Sequence, residues 1–401
     1  LQQPIVAMLW SASAVFVPIG ILAALYYRIA KLEPSIPFAA TALLLSVLYA
    51  LATEMLDRRA PRLGLAAAGA LFATGAVAAL ALALTMALEK GWLTIALALM
   101  VPGIAWVADK RPLPALRVLA AVVGMLVVLR IGWEPRIVGD DVGTTPILNW
   151  LLYGYGIPAA AFWLGGHLLR RRADDAPTRM IESGAILLTV LLAFLEIRHL
   201  INDGDVYSDS SSLAELALQV CVGLAMTIGL ERLRVRTGSV VHDVAAQLIG
   251  ALTLAAIVLG LGVIENPMTT GDPVGGRFIN LILLGYGLPA VLAAALAFIS
   301  RGVRPRNYSV VAALTAVALA LAYLSLEVRA LFHGAVLTEG ATTDAEQYTY
   351  SAVWLAFGVA LLAAGVILRS QAMRFASAGV VILTVLKVFL VDMGDLTGIY
   401  Q

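Results

Sequence analysis

Residues 147–169 read ILNWLLYGYGIPAAAFWLGGHLL and contain no Asp, Glu, Lys or Arg. A helix that crosses a hydrocarbon core of ~30 Å needs about 20 mostly apolar residues. The whole chain has this character, because 61% of its 401 residues are hydrophobic and 13% are charged, with a mean hydropathy of +0.92. A soluble domain is about 45–50% apolar and about 25% charged. Soluble globular, disordered, collagen-like and nucleic-acid-binding classes are therefore excluded, and a polytopic membrane protein is predicted.

The same length rule, applied along the chain, predicts about thirteen spans with short connections. Apolar runs of this length, rich in Ala and Leu, are too long for barrel strands. The predicted fold class is therefore all-α, a polytopic transmembrane helix bundle. The predicted spans are 5–27, 36–56, 64–87, 91–108, 113–131, 147–169, 180–200, 213–231, 240–263, 278–300, 307–331, 350–368 and 374–392.

Charged residues alternate in sign from one connection to the next. Most of the 27 Lys and Arg residues follow even-numbered spans, whereas Asp and Glu are concentrated after odd-numbered spans. Lys and Arg stay on the cytoplasmic side of a membrane. We therefore expect a multi-pass protein of the bacterial inner (plasma) membrane, with a cytoplasmic N-terminus and with the odd-numbered loops and Gln401 outside. Arg28 and Lys31, in the first connection, break this pattern.

The chain repeats itself at an offset of 131 residues. NWLLYGYGIPA at 149–159 aligns with NLILLGYGLPA at 280–290, and the same offset brings LEIR at 195–198 onto LEVR at 326–329. A fixed internal offset is typical of a duplicated structural unit. Each unit holds four spans, an even number, so we expect the two tandem four-helix repeats to have a parallel orientation.

The repeat also predicts how the chain is divided. A third, partial copy is indicated because GVVILTVLKVFL at 379–390 is similar to GAILLTVLLAFL at 184–195. The predicted regions are an N-terminal four-helix membrane unit (1–112), repeat A (113–238), repeat B (239–370) and the start of the third unit (371–401).

Each copy of the repeated stretch contains a Gly-Tyr-Gly-x-Pro motif. Because proline lacks an N–H group, the glycine carbonyl four positions earlier loses its helical partner. One interpretation is a broken helix whose freed carbonyls coordinate an ion or a polar substrate. The other is a plain kink, or close helix packing through small residues. The predicted helix-break residues are Gly154, Gly156, Pro158, Gly285, Gly287 and Pro289.

Glutamate and arginine recur two positions apart near the predicted outer end of one helix in each repeat. Side chains two positions apart point to different sides of a helix, so the two are not expected to pair. The glutamate belongs either to a binding site or to a structural lock with a donor of the other repeat. An asparagine at the outer start of another helix can supply a donor or cap its own helix. These candidate residues are Glu196, Arg198, Glu327, Arg329, Asn149 and Asn280.

Lys387 and Asp392 complete the candidate polar site. Their separation of five positions is too far round an α-helix for a good pair within the helix. Lys387 is therefore expected either to bind a carboxylate on another helix, with Glu196 and Glu327 as the candidates, or to extend toward the outer interface.

Motifs of known chemistry do not occur in the sequence. The four histidines lack H-E-x-x-H or paired spacing, and there is no P-loop, G-x-S-x-G motif or nucleotide fingerprint. The acidic outer loops lack EF-hand spacing, so no metal site and no cofactor are predicted. Cys221 is the single cysteine, which excludes an intrachain disulfide.

Four strings of the sequence point to a family. They are LEKGWLT at 88–94, PILNWLLYGYGIP at 146–158, EIRHL at 196–200 and LKVFLVD at 386–392. Together they resemble a large bacterial family of predicted membrane proteins whose domain has no assigned function, and the resemblance runs through nearly the whole chain. Members of that family are longer, so the resemblance implies that this chain is an internal or C-terminal-half portion. It implies no activity, substrate or catalytic residue.

The repeat, the proline bends and the paired outer glutamates favour a non-enzymatic, transporter-like membrane protein that binds or moves a small solute or lipid. The alternative is a structural or scaffolding subunit of a cell-envelope membrane complex. A membrane enzyme acting on lipid-linked substrates is disfavoured, because no nucleophile or paired-carboxylate motif is present. The expected partners are membrane lipids and, for the alternative, proteins of an envelope complex, with no nucleic acid.

Overall fold

The computed structural model describes residues 4–59, 64–110, 113–134, 139, 142–208, 211–277 and 279–393. These residues are helical apart from short connections and one isolated bridge between Gly275 and Asn280. The predicted all-α fold class is confirmed. The predicted boundary at 112 and the last part of the predicted third unit, 394–401, lie outside the described residues.

The described part of the chain consists of α-helices, several of which continue directly into or out of a π-helical segment. The α-helices are α1 (Pro4–Leu25), α2 (Ile36–Asp57), α3 (Leu65–Ala87), α4 (Lys90–Lys110), α5 (Pro114–Trp133), α6 (Ile157–Arg170), α7 (Ala176–Ile201), α8 (Leu213–Thr237), α9 (Val240–Ala255), α10 (Pro267–Thr270), α11 (Leu288–Ile299), α12 (Arg306–His333), α13 (Asp344–Ile367) and α14 (Gln371–Lys387). The π-helical segments are π1 (Tyr26–Ala30), π2 (Leu152–Gly156), π3 (Ala256–Ile264), π4 (Leu283–Gly287) and π5 (Val388–Asp392).

Within the described residues, 11 helical stretches are long and apolar enough to cross a membrane. The continuous helix Leu283–Ile299, formed by π4 and α11, is apolar but shorter. A polytopic helical bundle is therefore confirmed, whereas the count of about thirteen spans stays a prediction.

Local sequence signals set the helix ends. Asp175, Ser212 and Thr343 precede α7, α8 and α13, and each side chain accepts a hydrogen bond from a backbone N–H of the first turn, which is the arrangement of an N-cap. Proline stands in the first turn of α2, α5 and α7, where its missing N–H costs no hydrogen bond. Gly238 ends α8 with a φ of 64°, a left-handed conformation that glycine adopts without a steric penalty.

The chain divides into two compact units, Leu1–Val206 and Tyr207–Gln401. The main apolar core of the first unit is formed chiefly by α4, α5, α6 and α7, and smaller clusters join α2 and α3 to π1 and to α1. The core of the second unit is formed by residues of α8, π3, π4, α11 and α12. The domain boundaries predicted from the repeat stay predictions.

Local features of the two units recur at the predicted offset of 131 residues. The segments π2 and π4 begin at Leu152 and Leu283, and each is followed by an α-helix with proline in its first turn. The tyrosine of each segment is buried, with 3% of Tyr155 and 4% of Tyr286 exposed. These correspondences support the predicted repeat; the repeat itself and its parallel orientation stay predictions.

Candidate functional site

An asparagine–glutamate hydrogen bond lies at the entrance to a π-helical segment in each unit. In the first unit Asn149 Nδ2 donates to Glu196 Oε2 over 2.9 Å. In the second unit Asn280 Nδ2 donates to Glu327 Oε1, also over 2.9 Å. The glutamate's donor therefore comes from its own unit, rather than from the other repeat as the lock hypothesis required.

The same asparagines cap the helices that follow them. Asn149 Oδ1 accepts from the backbone N–H groups of Leu151 at 2.8 Å and Leu152 at 3.3 Å. Asn280 Oδ1 accepts from the N–H of Leu283 at 2.8 Å. Both asparagines are buried, with 4% and 9% of their surface exposed. One side chain thus does two things: it holds the carboxylate and it satisfies N–H groups that a helix start leaves without partners.

Backbone pairing fixes the loop that leads to each asparagine. The Trp150 N–H donates to the Val142 carbonyl over 3.1 Å, and the Leu281 N–H donates to the Val274 carbonyl over 2.8 Å. In the second unit, the Val274 N–H also donates to the Ala335 carbonyl over 2.8 Å. The loop before π4 is therefore tied to the loop after α12, which places Asn280 beside that helix.

The arginines of the repeated motif bind the loop that follows their helix. Arg198 Nε donates to the Val206 carbonyl over 3.0 Å, and Arg329 Nε donates to the Leu337 carbonyl over 2.9 Å. Arginine and glutamate two positions apart thus have different hydrogen-bond partners, on different sides of the helix.

Arg329 also belongs to a buried ionic cluster that sequence reasoning missed. Its Nη1 donates to both carboxylate oxygens of Glu346, over 3.1 and 3.2 Å. Glu346 Oε2 lies 2.7 Å from His333 Nε2, and Tyr350 Oη donates to Glu346 Oε1 over 2.8 Å. Arg329 is 6% exposed and Glu346 is fully buried, at 0%. Such a buried carboxylate is stable only because a cation and hydrogen bonds compensate its charge.

A sequence signal pointed to part of this cluster. The residues TDAE at 343–346 have the spacing of a capping box, and Thr343 Oγ1 accepts from the Glu346 N–H over 3.3 Å. A capping box locates the start of a helix but does not say which cation will face its glutamate. The partner, Arg329, lies on the preceding helix.

Lys387 and Asp392 form an ion pair within one continuous helix, and the prediction that they are too far apart to pair is wrong. Lys387 Nζ lies 2.6 Å from Asp392 Oδ1. The prediction assumed an α-helix, but Val388–Asp392 is π-helical. A helix with i→i+5 hydrogen bonds brings positions five apart onto one face.

The remaining hydrogen bonds of Lys387 go to α13. Its Nζ donates to the Gln347 carbonyl over 2.9 Å and to Ser351 Oγ over 2.8 Å. Lys387 therefore contacts another helix, but through a carbonyl and a hydroxyl instead of a carboxylate, for which Glu196 and Glu327 were the candidates. With Asp392, these groups use all three ammonium donors.

The Gly-Tyr-Gly-x-Pro motifs widen their helices without interrupting them. At the end of π2 the Ile157 N–H donates to the carbonyl of Leu152, and at the end of π4 the Leu288 N–H donates to that of Leu283. Each bond spans five positions instead of four, so the helix passes the proline as one continuous rod.

Side chains donate to two carbonyls of the π-helical segments in the second unit. Cys221 Sγ donates to the Leu284 carbonyl over 3.4 Å, and Tyr286 Oη donates to the Leu261 carbonyl over 2.6 Å. Buried carbonyls need such partners wherever the regular helical ladder changes. The ligand-coordinating role predicted for the carbonyls of Gly154 and Gly285 stays a prediction.

A groove of about 860 Å³ opens beside Asn280 in the second unit. Its walls come from the loop before π4 and from π4, α11, α12 and α13, and its lining is mostly Leu, Val, Ile and Ala. The volume falls within the roughly 300–1,000 Å³ of small-molecule sites, which typically combine apolar walls with a few polar groups. The lining residues used below are Ile279, Asn280, Val291, Ala320, Tyr323, Leu324 and Phe357.

Glu327 adjoins this groove through its hydrogen bond to Asn280, although Glu327 is not itself one of the lining residues. It lies one helical turn beyond Tyr323 and Leu324 on α12, and its Oε1 holds the Asn280 amide. The other oxygen, Oε2, has no hydrogen-bond partner among the described residues and is not one of the buried unpaired atoms. The groove therefore has hydrocarbon walls, and the half-buried carboxylate of Glu327 adjoins it through Asn280.

A family model described as predicted membrane protein (DUF2339) matches residues 2–401. The chain belongs to the DUF2339 family. This confirms the resemblance noted from the sequence, and with the 11 candidate spans it makes the chain a multi-pass membrane protein. No curated protein and no solved structure matches the DUF2339 chain.

Proposed function

We propose that this DUF2339 chain is a non-enzymatic membrane protein that binds an amphipathic lipid, with the hydrocarbon chain of the lipid in the groove of the second unit. The observation that carries the proposal is the groove itself, which has apolar walls and is lined by Asn280, the hydrogen-bond partner of Glu327. Ile279 and Val291, which line it, are 88% and 65% exposed. The groove thus opens on the apolar surface of the protein, where bilayer lipids are the neighbours.

The apolar lining favours a lipid over a small hydrated solute. A polar solute in this groove would lose hydrogen bonds to water and gain few in return, which costs several kcal/mol. A hydrocarbon chain suffers no such loss. The proposal is limited to binding, and movement of the lipid across the bilayer stays a prediction. The proposal also includes a bacterial inner-membrane location and a cytoplasmic N-terminus, which the distribution of Lys and Arg alone supports.

A larger side chain in the groove tests this proposal. Ala320 lies on the groove wall, and the phenylalanine of an Ala320→Phe variant would occupy the space of the lipid chain. Overpacking costs about 1–3 kcal/mol, so we expect the lipid retained by the purified protein after detergent exchange to fall roughly tenfold. Mass spectrometry of the retained lipid measures this.

The matched control is Ala318→Phe. Ala318 is exposed on the same helix, and a residue two positions away points to a different side. This variant should retain lipid as the wild type does. Equal retention by the wild type and the Ala320→Phe variant, with normal folding, would show that the groove is not the binding site.

A scaffolding role is the second candidate, and the first unit supplies the observation in its favour. There the Asn149–Glu196 pair is packed so closely that Glu196 Oε1 is buried without a hydrogen-bond partner. A closed polar contact of this kind fits a rigid structural element better than a ligand site. Copurification with a fixed protein partner that survives the Ala320→Phe substitution would favour this role.

A further inference from the structure

Only one oxygen of the Glu327 carboxylate has a hydrogen-bond partner among the described residues. Oε1 accepts from Asn280, and Oε2 has no partner among the described residues although it is not sealed inside the protein. A carboxylate in apolar surroundings is costly unless a cation or several donors compensate it. A single amide donor is weak compensation, so a cationic or N–H-rich group from outside would stabilise this site.

The nearest arginine in the sequence is engaged elsewhere. Arg329, two positions along α12, gives its donors to Glu346 and to the carbonyls of Leu337 and Gly340. Among the described residues, no Lys, Arg or His forms an ion pair with Glu327. The negative charge of Glu327 therefore has no ion-pair partner among the residues that the structure describes.

We propose that Glu327 selects lipids whose head group carries a primary ammonium. This rests on the proposed function, because the hydrocarbon chain of the same lipid lies in the groove. A primary ammonium supplies a positive charge and N–H donors together, and such charge-assisted hydrogen bonds are about twice as strong as neutral ones. A quaternary ammonium has the charge without the donors, and an anionic head group is repelled.

The loop beside the groove is compatible with a zwitterionic head group. Arg277 is exposed in the loop between Gly275 and Ile279, both of which line the groove. Arg277 lies three positions before Asn280 in the chain and Glu327 is hydrogen-bonded to Asn280, so both charge signs occur near this groove-lining residue. A lipid phosphate and its ammonium have the complementary charges.

The experiment compares lipids that differ only in the head group. The purified protein, in mixed micelles, is offered phosphatidylethanolamine, phosphatidylcholine and phosphatidylglycerol of identical acyl chains, and the retained lipid is measured by mass spectrometry. We expect phosphatidylethanolamine to be retained roughly tenfold over the other two, as for a hydrogen bond to a charged group. Glu327→Gln should abolish this preference, because glutamine can still accept from Asn280 but carries no charge.

The matched control is Glu196→Gln, the same change in the first unit. It should leave the head-group preference as it is in the wild type. If lipid is retained in a way that Ala320→Phe blocks, but the preference is absent or survives Glu327→Gln, the head-group proposal is wrong and the groove proposal stands. If Ala320→Phe has no effect on retention, both proposals fail.

A second measurement needs no variant and so does not depend on how Glu327→Gln folds. Successive N-methylation of phosphatidylethanolamine removes one N–H donor at a time while the positive charge is kept. Retention by the wild-type protein should fall at each step to the level of phosphatidylcholine. Equal retention across the series would overturn the proposed role of the N–H donors.

Discussion

The two asparagine–glutamate pairs have the same hydrogen bond but different surroundings. In the first unit the second oxygen of the Glu196 carboxylate is buried and unpaired, whereas in the second unit Glu327 is half-buried and its partner, Asn280, lines a groove. A repeated sequence motif can thus build the same local contact twice while the neighbouring helices decide whether a ligand can reach it. Function therefore has to be argued from those neighbours, and here they favour the second unit.

We expect the same contrast between the two arginines of the repeated motif, Arg198 and Arg329. Their removal should give the largest loss of stability among the variants considered. Arg329→Ala would leave the fully buried Glu346 without its cation, at a cost of about 3–5 kcal/mol. Arg198→Ala removes a charge-assisted hydrogen bond to the Val206 carbonyl, which is worth about 1.5–3 kcal/mol. Unfolding of the two purified variants in mixed micelles should rank Arg329→Ala as the less stable.

The control for this ranking is the double variant Arg329→Ala with Glu346→Gln. Removing the buried charge together with its cation should recover part of the lost free energy of unfolding, since a neutral side chain is less costly to bury than an unpaired carboxylate. Equal destabilisation by the two arginine variants, or no recovery in the double variant, would show that the ion pair with Glu346 makes Arg329 no more important to stability than Arg198.

Removal of the two asparagines should lower the free energy of unfolding by amounts that differ less than those of the two arginines. Asn280→Ala loses a helix cap and a hydrogen bond, at about 1 kcal/mol, but Glu327 can still meet water or a ligand. Asn149→Ala leaves both oxygens of Glu196 without a donor, and an unsatisfied buried acceptor adds about 1–3 kcal/mol. Chemical unfolding of both variants in the same detergent tests whether Asn149→Ala is the more destabilising.

This second comparison has its own internal check. Replacing both partners of a buried hydrogen bond by apolar groups is nearly neutral, so adding Glu196→Met to Asn149→Ala should recover the part of the loss that is due to the unsatisfied carboxylate, whereas the cost of the lost helix cap remains. If the two asparagine variants are equally stable, the difference in burial between Glu196 and Glu327 has no energetic consequence.

The positions of the helices could be predicted from the sequence because each apolar run has clear ends. The predicted spans 36–56, 64–87 and 213–231 fall on α2, α3 and α8, whose bounds are Ile36–Asp57, Leu65–Ala87 and Leu213–Thr237. Only a helix of this length satisfies its backbone groups in a bilayer, so hydropathy suffices for the class of fold.

The contacts of the polar side chains were harder to predict. The Lys387–Asp392 pair depends on a π-helical turn, which the α-helical period does not anticipate. The groove depends on Ala320 and Phe357, which belong to different helices and meet only after packing. Periodicity along one helix carries no information on contacts between helices. The sequence therefore predicted the candidate residues but not the groove near Glu327.

The smallest expected effect concerns the start of α7, the helix whose last turns hold Glu196 and Arg198. Arg117 donates to the Asp175 carboxylate, and this hydrogen bond lowers the pKa of Asp175 from 3.8 to about 2. A lowered pKa means that the pair stabilises the fold above pH 4 and that this contribution is lost as the pH falls through 2. Because the Asp175 side chain is 37% exposed, screening by solvent reduces the contribution to about 1 kcal/mol.

Asp175→Asn should therefore flatten the pH dependence of the free energy of unfolding between pH 5 and 2, whereas Asp174→Asn, at the neighbouring position, should leave most of that slope. An unchanged slope in Asp175→Asn would show that the Arg117 contact does not contribute to the stability of the first unit.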